Sequence, residues 1–284
     1  MSNAFVLTVS CVDRPGIVAA MVGLLASRGG NILESQQFDD LESGRFFMRI
    51  VFTMPGHDEA AVHALIAPAI KDFEMEARLR QQGTPIKVML LVSKFDHCLG
   101  DLLYRVRIGE LDMEVVGIIC NHPKTVLKVS MLGDLPFHHL PVTKDTKSAQ
   151  EAEIKRIVTE SGAELVVLAR YMQILSDDLA GFLSGRCINI HHSFLPGFKG
   201  AKPYHQAHVR GVKMIGATAH YVTADLDEGP IIHQDVEAIS HADTPDDLVR
   251  KGRDIERRVL ATAVRHHLED RVLLNGSKTV VFRT

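Results

Sequence analysis

Residues 4–10, AFVLTVS, form an almost unbroken apolar run of strand length. The polar turn Asp13-Arg14-Pro15-Gly16 then leads into IVAAMVGLLASRGG, where apolar side chains recur at helical spacing until Gly29 and Gly30 stop the helix. Strands are expected over 31–38 and 45–54, divided by a turn at Glu42-Ser43-Gly44, with Pro55-Gly56 ending the second. Helical periodicity returns over 58–70, and 74–81 reads as a closing strand or as an extension of that helix. The order β-α-β-β-α-β is that of a ferredoxin-like split βαβ unit.

Gln82-Gly83-Thr84-Pro85 breaks the pattern, because Gly and Pro continue neither a helix nor a central strand. Beyond it, short apolar runs at 86–92, 114–119, 164–168 and 187–190 alternate with helical patterns at 98–106, 146–159 and 176–183. Strands apolar on both faces and separated by helices belong in a doubly wound, mostly parallel α/β sheet. A strand, an acidic loop and a further strand follow over 215–232. A long helix closes the pattern over 244–268, with Thr244 as N-cap and Asp246 and Asp247 in the first turn. The expected division is thus a first domain over 1–81, a linker over 82–85 and a second domain over 86–284. Ligands of such sheets bind outside the carboxyl ends of the strands, which directs attention to the loops at 93–99, 121–123 and 189–202.

The length of 284 residues suits two domains. A net charge of -3 and the lack of any Lys/Arg-rich run argue against a nucleic-acid partner. The apolar N-terminus is interrupted by Asp13, Arg14 and Pro15, unlike a signal peptide, so a cytoplasmic protein without membrane association is expected. Cys11, Cys98, Cys120 and Cys187 are widely spaced, which suits reduced thiols.

The strongest chemical signal is Cys187-Ile188-Asn189-Ile190-His191. In a strand, Asn189 and His191 share one face, so a carboxamide donor and a titratable imidazole point at one place. A second element, Leu226-Asp227-Glu228-Gly229-Pro230-Ile231-Ile232, turns an acidic loop back into an apolar strand. Adjacent histidines at 138–139, 191–192 and 266–267 lack the ligand spacing of a metal site, and no metal is expected.

Asn189-Ile190-His191, Ser193, Leu195-Pro196, Gly200, Gly216-Ala217-Thr218, His220 and Asp227-Glu228-Gly229-Pro230 together resemble the formyltransferase family that uses 10-formyltetrahydrofolate. That family includes glycinamide ribonucleotide transformylase, methionyl-tRNA formyltransferase and formyltetrahydrofolate deformylase. The resemblance runs over about 86–268 and implies that Asn189, His191 and Asp227 are the catalytic amide, imidazole and carboxylate. It further implies that Arg170, Tyr171, Met172, Gln173, Ile174 and Leu175, together with Asp225, bind the folate. Gln173 stands where many relatives carry a basic residue.

In the first half, Asp13-Arg14-Pro15-Gly16-Ile17-Val18 and Gly30-Asn31-Ile32 resemble an ACT domain. Asp13, Gly16, Ile17, Asn31 and Ile32 are the implied contacts of an amino-acid effector, methionine or glycine, and subunits are implied to associate through this half. An ACT-like half joined to a formyl-transfer half resembles the deformylase branch, as does Ser93-Lys94-Phe95-Asp96-His97-Cys98, where a transformylase has a Gly- and Asn-rich phosphate cradle. Asp96, His97 and His138 are expected on the acceptor side, leaving water as acceptor. The implied activity is hydrolysis of 10-formyltetrahydrofolate to formate and tetrahydrofolate, supplying formate for purine synthesis and balancing folate pools, with the folate as substrate and no permanently bound cofactor. The alternatives are transfer to an amine such as glycinamide ribonucleotide, and a non-catalytic amino-acid or folate sensor.

Overall fold

The protein's structure, a computed structural model, describes residues 4–193 and 203–283. It divides into two compact units, Met1–Thr84 with Glu269–Asn275 and Val280–Thr284, and Pro85–Leu268 with Gly276–Thr279.

In the first unit, β1 (Ala4–Val12), β2 (Asn31–Asp40), β3 (Arg45–Thr53) and β4 (Glu76–Gln81) form an antiparallel sheet in the order β2-β3-β1-β4. Helices α1 (Ile17–Ser27) and α2 (Glu59–Asp72) complete the β-α-β-β-α-β order. The segment with two readings is a strand: residues 76–81 pair antiparallel with β1, Phe5 opposite Gln81 and Ser10 opposite Glu76. Gly16 turns the chain into α1 at φ 99°, a left-handed conformation that costs glycine little. Asp58 caps α2 by accepting the Ala61 N–H at 2.8 Å.

β3 is buried on both faces, which accounts for its dense apolar run. Phe46, Met48, Ile50 and Phe52 join the main core with Leu7, Met21 and Ile66. On the other face Phe47 packs with Leu273 and Phe282. Those partners come from β12 (Val272–Asn275) and the residues after β13 (Lys278–Val281), a hairpin absent from the sequence expectation. The domain expected over 86–284 therefore loses most of its C-terminal tail to the first unit. The buried Arg49 donates there through Nε and Nη2 to the Glu269 carbonyl, and its Nη1 lies 3.0 Å from the Glu34 carboxylate.

Among the described residues, the second unit holds a seven-stranded sheet in the order β11-β10-β9-β8-β5-β6-β7. The strands are β5 (Ile86–Val92), β6 (Met113–Cys120), β7 (Phe137–His139), β8 (Leu165–Leu168), β9 (Cys187–His191), β10 (Met214–Tyr221) and β11 (Ile231–Ala238). β5 to β9 are parallel, while β10 runs antiparallel to both β9 and β11. The helices are α3 (His97–Arg107), α4 (Lys147–Glu160), α5 (Asp177–Phe182), α6 (Pro203–Arg210) and α7 (Pro245–Leu268). Thr244 and Asp247 cap α7 reciprocally, each backbone N–H donating to the other side chain at 3.0 and 3.2 Å. The three-residue β7 and the mostly polar α6 carry too little periodicity to be read from sequence. No helix among the described residues is long and apolar enough to cross a membrane.

Gly252 lies inside α7, where alanine is ordinarily better by about 1 kcal/mol. Here a Cβ would sit 2.1 Å from the Tyr204 ring, which donates its hydroxyl to Glu256 at 2.7 Å. Gly252→Ala is therefore expected to lower the thermal midpoint by several degrees, because displacing a buried ring and its hydrogen bond outweighs the helix gain. Thermal unfolding followed by circular dichroism checks the sign.

Candidate active site

The β9 pleat buries Cys187, Ile188 and Ile190 while Asn189 and His191 stand half-buried on one face. Antiparallel pairing then sets His220 of β10 opposite Asn189 and Thr218 opposite His191. Thr218 accepts from Gln234 Nε2 at 2.9 Å and donates to the Ser193 carbonyl at 3.0 Å, tying down the chain just after β9. Between β10 and β11 the chain reverses, and a register shift falls at Ala219/His220. Gly229 passes so close to β10 that a Cβ there would meet the Tyr221 carbonyl oxygen at 1.8 Å. The turn is clamped by the Tyr221 N–H donating to the Pro230 carbonyl at 2.9 Å.

That reversal brings Asp227 to the end of β9. Its Oδ1 lies 3.2 Å from His191 Nδ1 and 3.8 Å from His220 Nε2. With Nδ1 facing the carboxylate, Nε2 is the nitrogen His191 has left for a reacting group, the geometry by which a carboxylate orients a catalytic imidazole. The hydrogen bond from His191 holds the Asp227 carboxyl below its ordinary value, more than offsetting the upward push of burial. Asp227 therefore keeps its charge throughout the neutral range. It also occupies the left-handed region at φ 58°, a conformation that Asp and Asn tolerate better than other non-glycine residues.

His220 fixes the remaining member. Its Nδ1 lies 2.9 Å from the Tyr221 carbonyl oxygen and must donate there, so Nε2 is an acceptor. Asn189 Nδ2, 3.4 Å away, is then its donor, which settles the orientation of the carboxamide. Burial pushes the His220 imidazole below its ordinary value and keeps this neutral tautomer in place.

Asn189, His220 and Asp227 line a solvent-connected cleft together with Leu168, and His191 reaches it through Asp227 rather than lining it. Of the residues expected to bind folate, Tyr171, Gln173, Ile174, Leu175 and Asp225 line the same cleft. The Tyr171 hydroxyl accepts from Gln150 at 2.6 Å, which anchors that wall. Arg170 and Met172 do not line it. Arg170 turns inward to His192 and Glu256, and Met172 donates its backbone N–H to Ser93 at 3.0 Å while its side chain is exposed. Asp96 and His97 line a separate cleft with Tyr104, Lys128 and Arg257. Asp96 accepts the N–H groups of Lys128 and Val129, and His97 Nε2 lies 2.7 Å from Glu256, so both have partners away from Asn189. His138 pairs with Ile119 on β7, four strands from β9, or roughly 19 Å at ordinary strand spacing. Leu195-Pro196 and Gly200 lie outside the described residues.

His97, Cys98 and Glu256 bring three atoms of ligand type within 4.8 Å of one another. The Arg170 guanidinium, 3.3 Å from Glu256, already supplies the balancing positive charge. In the first unit, Ile17 is buried in the core, Asp13 donates its backbone N–H to Gly44, and Asn31 and Ile32 open β2 beside β3.

A formyl transferase family model matches residues 86–264, and an ACT domain model matches 5–67. The formyltetrahydrofolate deformylase of a Corynebacterium species is 50% identical over 280 residues, covering 98% of each chain. The chain belongs to the formyltetrahydrofolate deformylase family. A crystal structure of the Burkholderia mallei family member superposes with a TM-score of 0.94 at 51% identity, over 99% of this chain and 100% of that one. A glycinamide ribonucleotide transformylase from Symbiobacterium toebii gives 0.66 at 30% identity and covers 72% of this chain. The deformylases thus match both units together, whereas the transformylase matches a part.

The sequence motif contained His220 without assigning it work; only the register against β9 reveals its hold on Asn189. Three substitutions test these roles. His220→Leu removes the acceptor that orients the carboxamide, and kcat is expected to fall about ten-fold, the worth of one hydrogen bond of about 1.4 kcal/mol. Asp227→Asn should keep the wild-type thermal midpoint, since Asn suits φ 58°, yet lower turnover at least about 100-fold by removing the charge beside His191. Asp227→Ala should lose similar activity and cost about 1 kcal/mol more in stability, which paired kinetics and denaturation will separate.

Proposed function

We propose that this protein hydrolyses 10-formyltetrahydrofolate to formate and tetrahydrofolate, with water as the acceptor. The observation that carries the reading is that Asn189 and Asp227 line one cleft and that the Asp227 carboxylate there meets His191 Nδ1 at 3.2 Å. A formyl group on N10 is an amide; attack by water on its carbon places negative charge on oxygen and a spare proton on the nucleophile. The Asn189 carboxamide and protonated His191 stabilise the oxyanion, each such donor being worth about 3–4 kcal/mol when preorganised. Asp227 supports the charged imidazole and positions water for proton transfer. As the tetrahedral species collapses, the C–N10 bond breaks and N10 takes the proton given up by the attacking water, relayed through this His/Asp pair. Formate and tetrahydrofolate leave, and no cofactor is consumed.

The cleft wall formed by Tyr171, Gln173, Ile174, Leu175 and Asp225 suits the pteridine, combining apolar surface with backbone and carboxylate acceptors. Water as acceptor is favoured because the segment Ser93–His97 offers no glycine-rich run of free N–H groups for a phosphate. The Asp96 carboxylate holds the Lys128 and Val129 N–H groups there and gives that segment a structural role. We assign to residues 1–81 the binding of a small amino acid, methionine or glycine, near Asp13, Gly16, Ile17, Asn31 and Ile32, and the association of subunits. In a cytoplasmic setting the reaction would supply formate for purine synthesis and rebalance folate pools.

Purified protein given 10-formyltetrahydrofolate alone is expected to release one formate per folate turned over, at a rate unchanged by glycinamide ribonucleotide. Turnover that begins only when the amine is added would establish the transferase instead. Calorimetric titration with methionine and glycine is expected to show binding by at least one, with a matching change in the rate of formate release.

A further inference from the structure

Behind Asn189, His191 and Asp227 lies a layer of buried polar groups that the chemistry above leaves without a role. The His192 ring is stacked on that of His191, centroids 4.7 Å apart and planes inclined by 19°. Its Nδ1 lies 3.1 Å from Arg170 Nη1, and because a guanidinium only donates, His192 must accept there and carry its proton on Nε2. Arg170 is itself fixed: its backbone is left-handed at φ 67°, and its Nε lies 3.3 Å from Glu256 Oε2. Glu256, 1% exposed, also accepts the Tyr204 hydroxyl at 2.7 Å and faces His97 at 2.7 Å.

We infer that His192 is a positioning residue for the hydrolysis: its ring, held in one tautomer by Arg170 and through it by Glu256, is the platform that keeps the His191 imidazole turned towards Asp227. The inference rests on the hydrolytic reading above. An uncharged ring is required of such a platform. A protonated His192 would set a donor against the Arg170 donor and a cation beneath an imidazole that must itself take up a proton.

The surroundings hold it neutral. His191 of β9, Arg170 after β8 and Tyr204 of α6 face the ring. Glu256 of α7 stands behind Arg170, with His97 and the thiol of Cys98 from α3 beyond it, and Asp227 approaches from the β10–β11 turn. Burial first, then the charges of Arg170 and His191, push His192 down to about 4, against the opposing pull of Glu256 and Asp227. Since an unfolded histidine takes up its proton near 6.5, the folded state keeps this contribution above that value. It loses the contribution progressively as the pH falls from 6.5 towards 4.

The test combines ring titration with kinetics on the full chain. In wild-type protein the His192 ring Cε1–H resonance, assigned by its loss in His192→Asn, is expected to stay at its neutral position until the pH approaches 4. In Arg170→Met its midpoint should move up, yet stay below the ordinary value of about 6.5 because burial, the larger cause, remains. The kcat for formate release should fall about ten-fold in that variant and in His192→Asn, while KM for 10-formyltetrahydrofolate stays within about two-fold. Arg170→Lys, which keeps a donor, should recover most of the rate. A wild-type His192 midpoint near the ordinary histidine value overturns the inference without any variant having to fold. So does a kcat and pH profile left unchanged by Arg170→Met and His192→Asn. Wild-type protein that releases no formate defeats the hydrolytic reading instead, while the ring titration still reports on Arg170 and His192.

Discussion

The antiparallel pairing of β10 with β9 is the constraint on which the site depends. Through β5 to β9 the sheet is parallel, and each parallel crossover carries the chain away from the carboxyl ends before returning. β10 instead runs back along β9, and the residues that follow its carboxyl end, Val222 to Asp227, line the cleft before the chain reverses into β11. The clamp from Tyr221 to Pro230, and the glycine at 229 that lets the backbones touch, make that reversal tight enough to set Asp227 against His191. A one-residue slip would turn His220 away from Asn189 and direct it to the other face of the sheet.

The second constraint is electrostatic and lies in α7. A carboxylate that is 1% exposed is costly unless every oxygen is engaged. Burial pushes the Glu256 carboxyl up, and the His97 hydrogen bond and the Arg170 charge more than offset this, leaving it ionised below its ordinary value. The group therefore ties α3, α6, α7 and the segment after β8 to one point. Arg170, which the family resemblance assigns to the folate, serves this internal network instead. Of the residues that resemblance assigns to the folate, Tyr171, Gln173, Ile174, Leu175 and Asp225 line the cleft.

Most of the architecture was legible in the chain. Both buried faces of β3 gave an apolar run, the continuous apolar segments of the second half announced a sheet covered on both sides, and Asn189 with His191 showed their shared face through period-two spacing alone. Elements without a periodic signal escaped: three-residue β7, polar α6, and the C-terminal hairpin that buries Phe47. Their existence depends on partners far away in the chain, which local pattern does not encode.

Sequence by itself determined which chemical groups are present and which of them share a strand face, because side-chain alternation is a local property of the backbone. It also specified the two-part α/β organisation and, through joint motifs, the family. Only the tertiary structure decided the partners: that His220 orients Asn189, that Asp227 meets His191, that Arg170 turns inward to His192, and that Asp96 and His97 line a cleft of their own. Such pairings are set by strand register and by the need to neutralise buried charge, and both are settled only when segments distant in sequence are packed together.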